Sequence, residues 1–234
     1  MWKGQKVSVV LPAFNEEGNI GKAAADFLAL GLVDEVLVVD NNSTDATAER
    51  ARAAGARVVT ETKQGYGNAI RRGLREAGGE LIAVCEPDGT FSADDMPKLL
   101  SYIGEFDMVL GSRTSRELLT RGANMGLFLK WGNWAVAKLL EFLFNGPSLT
   151  DVGCTYRMIH KEALAKIQDK FRVGASHFSP EMMLTAISSG LRVVEIPLHY
   201  GPRIGESKIT GDPKKAFILG MRMIWLILCR RFLG

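Results

Sequence analysis

Residues 35–55 read EVLVVDNNSTDATAERARAAG. Glu35–Val39 is a short run dominated by β-branched residues, too brief for a helix, and it predicts a buried strand. The run ends in the polar turn Asp40-Asn41-Asn42. Ser43, Thr44 and Asp45 are then placed to cap a helix over Asp45–Ala54, and Gly55 is placed to close it in the left-handed conformation. The same unit recurs on either side. Val7–Leu11, Ala56–Glu61, Glu80–Cys85 and Met108–Gly111 predict strands, and Ala23–Leu30 and Tyr66–Ala77 predict the helices between them. Strands alternating with crossover helices predict an α/β protein with a mostly parallel sheet flanked by helices. Ligands of such sheets lie beyond the carboxyl ends of the strands.

Composition narrows the classes further. The chain has 234 residues, of which 47% are hydrophobic and 24% charged, with 25 glycines against 8 prolines. A chain of this size buries roughly 70% of its unfolded surface, which excludes a disordered or collagen-like protein. A net charge of +3 is too small to argue for nucleic acid. Cys85, Cys154 and Cys229 are odd in number and far apart, so neither a disulfide framework nor a zinc site is expected. The chain runs from Met1 into a strand without the basic start and apolar stretch of a signal peptide, and a cytoplasmic location is expected. Beyond Gly111 the pattern changes to a long apolar stretch, Met125–Phe144, then a strand over Cys154–Ile159, a helix over Ser179–Ser188 and a strand over Arg192–Tyr200. The expected organisation is one domain over residues 1–212, with the apolar segment 125–144 inside it, and a basic, apolar helix over residues 213–234.

The strand ends are polar and mostly acidic. The first strand ends in Pro12-Ala13-Phe14-Asn15-Glu16-Glu17, the second in Asp40 to Asp45, and the fourth in Glu86-Pro87-Asp88-Gly89-Thr90. Carboxylates gathered on one edge repel one another unless a cation or a donor-rich ligand joins them. Glu86 and Asp88 fall on the same side of an extended segment and offer hard oxygen donors suited to magnesium or manganese, which would hold a diphosphate. Taken singly, each acid has a plainer reading as a helix cap or a solvated loop residue. A dinucleotide site is the competing reading, since Asp40 lies where an acid would meet a ribose. Such a site needs glycines in the first turn. This turn has Pro12, Asn15 and two glutamates, while Gly65-Tyr66-Gly67 lies in the wrong crossover with Ile70 in place of a third glycine.

With these residues assembled, the chain resembles the family 2 glycosyltransferases of the GT-A fold. Within them it is most similar to the polyprenyl-phosphate sugar transferases of the dolichol-phosphate mannosyltransferase type. The resemblance runs from about Val7 to Lys208. It rests on P-x-x-N-E-E in Val7–Glu17, V-V-D-x-x-S-x-D in Val38–Asp45, K-x-G-Y-G-N-A-x-x-x-G in Lys63–Gly73, the Glu86–Asp88 variant of D-x-D, Gly111-Ser112-Arg113, D-x-x-C-x-Y-R in Asp151–Arg157, and E-I-P-x-x-Y-x-x-R-x-G-x-S-K in Glu195–Lys208. A Rossmann-like GT-A sheet is therefore expected. The resemblance implies that Pro12, Ala13, Asn15 and Glu17 line a nucleotide pocket together with Glu86, that Asp40 bonds the base, and that Gly67 lets its loop approach the nucleotide. It further implies that Glu86 and Asp88, with Thr90, hold Mg2+ or Mn2+ on the diphosphate, and that Arg203, Ser207 and Lys208 neutralise the diphosphate as it leaves. The sequence departs from the family at Glu86, where the first Asp of the metal motif is usual, and at Asn41, where a second Asp is usual.

The reaction so implied is an inverting transfer from a GDP- or UDP-linked sugar to a polyprenyl phosphate. A phosphate acceptor is largely ionised near neutrality, its second pKa being about 6, so it needs charge stabilisation rather than a general base. Asp88, Arg113, Arg203 and Lys208 are the catalytic candidates, and Arg113, Arg121 and Lys130 the candidates for gripping the acceptor phosphate; for Arg121 and Lys130 ordinary surface charge is the alternative. Asp151 is placed either on the acceptor side or beside Arg157 as a structural partner. Met125–Phe144 carries Lys130, Asn133, Lys138 and Glu141, too many polar groups for a membrane span. Ala216–Cys229 would extend only roughly 21 Å as a helix against a hydrocarbon core of about 30 Å. Both segments are expected at a membrane surface, on the cytoplasmic face. A family member acting on a glycan or small soluble acceptor, and a non-catalytic binder of nucleotide sugars, are the alternatives.

Overall fold

Alternate residues of the strands divide between the two faces of the sheet, and this division builds two apolar cores. The computed structural model describes residues 1–120, 122–123, 126–204 and 213–233. In β1 (Val7–Ala13) Val10 faces one core, while Val7, Val9 and Leu11 face the other. β2 (Glu35–Asp40) divides in the same way, with Leu37 and Val39 against Val36 and Val38. The remaining strands are β3 (Arg57–Thr60), β4 (Leu81–Val84), β5 (Met108–Ser112), β6 (Arg157–His160) and β7 (Val193–Pro197). Among the described residues they form one sheet in the order β3-β2-β1-β4-β6-β5-β7, with β6 antiparallel to both neighbours and every other pairing parallel.

One face is covered by α1 (Ile20–Ala29), α2 (Thr47–Ala53) and α4 (Met96–Ile103), which contribute Ile20, Phe27, Ala51, Leu99 and Ile103 to the core beneath them. The other is covered by α3 (Tyr66–Glu76), α5 (Leu127–Phe144), α6 (Lys161–Ile167), α7 (Phe178–Ser188) and α8 (Pro213–Phe232). Gly55 has φ 90°, the left-handed closure expected after α2. At that helix's start Asp45 accepts from the Thr47 N–H at 3.0 Å and so caps the first turn as expected, although Ala46 occupies the position next to the helix. Helix α4 is not among the elements expected from the pattern; its Pro97 reads as a breaker but sits in the first turn, where no helical N–H is required of it. The expected strand over Cys154–Ile159 begins only at Arg157.

Helix α8 is amphipathic in its contacts. Met223 and Ile227 are buried in the core shared with α5 and α7, whereas Phe217, Trp225 and Phe232 are more than half exposed. Arg230 donates to Thr185 Oγ1 on α7, and Arg231 lies over the Phe144 ring on α5, so basic residues near the end of the helix also hold it down. Among the described residues no helix is long and apolar enough to cross a membrane.

Candidate active site

β2, β1 and β4 run parallel, with Ala13 beside Asp40 and Val10 beside Val84, so their terminal loops leave along one edge of the sheet. A cavity of about 640 Å³ opens over that edge. Its polar part is lined by Pro12, Ala13, Glu16, Asn41, Tyr66, Glu86, Asp88, Arg113, Thr155, Tyr200 and Arg203. Its apolar part is lined by Leu129 and Val136 of α5 and by Phe217, Leu219, Met223 and Ile224 of α8.

Glu86 and Asp88 point at a common cation. Arg203 Nη2 lies 2.6 Å from Asp88 Oδ2 and 3.6 Å from Glu86 Oε2. The other Asp88 oxygen, Oδ1, accepts from Thr90 N at 3.0 Å and from Thr90 Oγ1 at 2.6 Å. The Thr90 hydroxyl is thus engaged in aiming Asp88. The main chain reinforces the arrangement, because Ile204 N donates to Asp88 O and Gly201 N donates to Thr90 O, tying the segment that carries Arg203 to the β4 loop. Burial and the nearby Asp88 charge raise Glu86 to about 7, against the opposing pull of Arg203. A carboxyl that resists ionisation in this way is one whose charge has too little compensation where it sits.

The loops after β1 and β2 are laced to each other. Asn15 adopts a left-handed conformation, φ 57°; its N–H donates to Ser43 Oγ and its Oδ1 accepts from Thr44 N. Glu17 Oε2 accepts from Ala46 N, at the start of α2, and Asp45 accepts from Glu17 N. Asp40 is buried, with Oδ1 on the Ser43 N–H, and the neighbouring Asn41 takes the place on the cavity lining. Asn41 bonds Glu61 O, Lys63 O and the Gly65 N–H, so it also fixes the loop before α3. For Glu17 and Asp45 the plain reading as helix-capping acids therefore describes the geometry. Gly67 is buried within α3; a Cβ there would come within 2.6 Å of Val173 O and 2.9 Å of Phe178 Cβ, so its missing side chain is what the 173–178 segment packs against.

Arg113 lines the cavity and forms a two-pronged pair with Asp151, Nε to Oδ2 and Nη2 to Oδ1 each at 2.8 Å. Its guanidinium also lies 5.2 Å from the Tyr200 ring centroid. Burial acts to lower the arginine's pKa, but the Asp151 charge outweighs it and keeps the group charged. Asp151 is thus the partner of Arg113, and Arg157 bonds instead to the carbonyls of Ser179 and Cys154. Lys130 donates to Thr114 O at 2.8 Å. Glu181 accepts the N–H groups of Arg172 and Val173. Arg121, Ser207 and Lys208 lie outside the described residues. Tyr66, Asn133, Thr155 and Tyr200 line the cavity without having been singled out from the sequence; Tyr66, Thr155 and Tyr200 fall inside the motifs, so their position beside the quoted residues was the available signal.

A mostly parallel sheet with an acid pair at its edge, fronting a cavity, is the architecture of the GT-A glycosyltransferases. The chain belongs to glycosyl transferase family 2, whose model matches residues 8–168, and it is a glycosyltransferase. An uncharacterized glycosyltransferase of Mycobacterium tuberculosis is 34% identical over 92% of this chain and 94% of its own length. A dolichyl-phosphate hexose transferase of Haloferax volcanii is 31% identical over 88% of this chain and 87% of its own. The crystal structure of glucosyl-3-phosphoglycerate synthase from Mycobacterium tuberculosis superposes with a TM-score of 0.72 at 25% identity, covering 97% of this chain and 81% of that one. That synthase has also been solved with Mn2+, UDP and glucosyl-3-phosphoglycerate, and in that form the likeness is a TM-score of 0.72 at 23% identity.

Proposed function

We propose that this glycosyltransferase moves a sugar, with inversion, from a UDP- or GDP-linked donor to the phosphate of a polyprenyl phosphate at the cytoplasmic surface of a membrane. The observation that carries this reading is the two-part cavity. One continuous space runs from Glu86, Asp88 and Arg203 to an apolar lining supplied by α5 and α8, which suits a charged donor at one end and a prenyl chain at the other. The dolichyl-phosphate hexose transferase among the relatives supports the same acceptor.

The donor set fits Mg2+ or Mn2+. Two carboxylate oxygens already converge on one cationic nitrogen, and they are hard ligands of the kind these ions take. Among the described residues no third acid, histidine or cysteine joins them, which leaves room for diphosphate oxygens. Bound there, the ion would neutralise charge on the departing diphosphate. We assign Glu86 and Asp88 as its ligands and Thr90 to aiming Asp88. Arg203 is placed to follow the diphosphate, and Arg113, held rigid by Asp151, to meet the acceptor phosphate. A pre-oriented guanidinium stabilises charge without reorganising during the reaction.

Trp131 and Trp134 are exposed on α5, and α8 carries exposed Phe217, Ile218 and Trp225 together with exposed Lys214, Lys215 and Arg222. Aromatic and basic residues in such a mixture favour the headgroup region of an anionic bilayer. The reading is tested by incubating the protein with radiolabelled UDP-glucose or GDP-mannose, Mn2+ and a polyprenyl phosphate in detergent. Label should enter an organic-extractable, mild-acid-labile product, and Asp88→Ala should abolish it. Transfer only to water-soluble phosphates would replace the lipid acceptor with a soluble one, a second reading favoured by the likeness to glucosyl-3-phosphoglycerate synthase.

A further inference from the structure

Two hydroxyls on the cavity lining are buried without a hydrogen bond of good geometry. Tyr66 Oη and Thr155 Oγ1 have no hydrogen-bond partner, and both residues line the cavity. A buried hydroxyl left unbonded costs about 1–3 kcal/mol, so folded proteins rarely keep one without use. Tyr66 is the first residue of α3, and the next residue, Gly67, packs closely on the 173–178 segment. Thr155 lies just before β6, and it is 8% exposed. The two come from opposite sides of β4's crest and meet beside Glu86: the Glu86 carboxyl and the Thr155 hydroxyl stand close to Tyr66 Oη, but neither stands at hydrogen-bonding distance and angle to it.

Arg157 approaches the same phenol. Its guanidinium is fixed by Ser179 O at 2.8 Å and by Cys154 O. A cation beside Tyr66 draws the oxygen lone pairs towards itself, which leaves the O–H free to donate elsewhere. The class of ligand then follows from the donors and acceptors present. A phosphate is disfavoured next to the Glu86 carboxyl, and an apolar group would leave both hydroxyls unbonded. A ligand hydroxyl both donates and accepts, and so completes Tyr66, Thr155 and Glu86 together. Glu86 belongs to two groups at once: with Asp88 and Arg203 it forms the diphosphate end, and with Tyr66 and Thr155 it forms the hydroxyl end. A sugar bonded to a diphosphate spans that step.

We propose that Tyr66 and Thr155, with Glu86 opposite them, form the subsite that reads hydroxyl groups of the sugar being transferred and so determines which sugar the enzyme accepts. This rests on the nucleotide-sugar reading above. It gives Tyr66 and Thr155 a role in donor selection, separate from the metal and from the acceptor.

The test is binding without turnover. Isothermal titration calorimetry with Mn2+ compares UDP and GDP with a panel of UDP- and GDP-linked hexoses, on wild type, Tyr66→Phe and Thr155→Val. In each variant the Kd for the preferred sugar nucleotide should rise about five- to tenfold, the loss expected for one hydrogen bond. The Kd for the matching nucleoside diphosphate should not change. The melting temperature of the ligand-free variants should stay within about 2 °C of wild type or rise, because an unbonded hydroxyl has been removed. Equal weakening of sugar nucleotide and nucleoside diphosphate, no weakening of either, or a fall in ligand-free stability would each overturn the subsite. If wild type binds the nucleoside diphosphates and none of the hexose derivatives more tightly, the subsite also fails while the nucleotide site stands. Wild type that binds no member of the panel overturns the donor reading and this inference with it.

Discussion

Replacing Arg203 with alanine removes the cation that the described residues place between Asp88 and Glu86. Asp88 is almost wholly buried, whereas the Arg203 side chain is 27% exposed, so the pair is neither a surface bridge nor a fully desolvated one. Unit charges about 4 Å apart attract by ~4 kcal/mol at an effective dielectric of about 20. Desolvation and solvent screening offset much of this, and losing the arginine is expected to cost about 1–3 kcal/mol of folding stability. For a chain of this length that is a fall of about 2–12 °C in Tm.

The loss depends on pH with a defined sign. Glu86 is raised to about 7 in the folded protein from an ordinary 4.5. Its folded form therefore holds a proton that the unfolded form gives up, so stability falls as pH rises from about 4.5 through 7. Arg203 opposes that rise, so the variant should raise Glu86 further, and its deficit against wild type should grow between pH 6 and pH 8. Without Arg203 the two carboxylates face each other bare, and Mn2+ in the absence of nucleotide should restore more Tm to the variant than it adds to wild type. Differential scanning calorimetry in EDTA and in millimolar Mn2+, at pH 6 and 8, measures all of this. A variant as stable as wild type at pH 8, or an equal Mn2+ shift in both proteins, would refute the idea that the arginine and a divalent ion answer the same acid pair.

Asp151→Asn leaves Arg113 buried without its carboxylate and should cost about 3–5 kcal/mol in urea unfolding at pH 7. Burial acts to raise the pKa of Asp151, but Arg113 and backbone donors outweigh it and hold it below 3.8, so the deficit should be constant from pH 7 to 5 and shrink as pH falls further; a deficit unchanged at pH 3 would refute the assignment. Ile227→Ala should lower stability by about 2–4 kcal/mol because that side chain of α8 is fully buried, whereas Trp225→Ala, at a residue 68% exposed, should leave the urea midpoint unchanged and weaken sedimentation with anionic vesicles. Gly67→Ala should destabilise by about 1–3 kcal/mol by forcing α3 off the 173–178 segment, read as a lower Tm; a variant as stable as wild type would show that the segment gives way.

What could be read from the chain was what neighbours along it determine. The apolar run Glu35–Val39 is local, and it predicts a buried strand, which the structure sets between two cores with Val36 and Val38 on one side and Leu37 and Val39 on the other. The spacing of Glu86 and Asp88 is local too, and the structure turns both towards one cation. Partners far apart were not legible in this way. Asp151 was assigned to the acceptor side or to Arg157, six residues away, yet it lies against Arg113, because β5 and β6 run side by side and bring the two loops together. Likewise Asn15 and Glu17 looked like pocket residues from their motif, but the parallel pairing of β1 and β2 sets them against residues 43–46, whose hydroxyl and N–H groups they satisfy. The tail shows the same limit from the other side. Its composition marked it as basic and apolar, which fits a surface helix, but composition does not say which apolar residues are already taken. Ile227 is taken by the core, and Met223, Leu219 and Ile224 both pack on that core and line the cavity, so α8 both completes the site and carries the exposed aromatic face. A helix with those two commitments links the position of the apolar cavity lining to whatever its outer face rests on, and that coupling was not contained in any segment of the sequence alone.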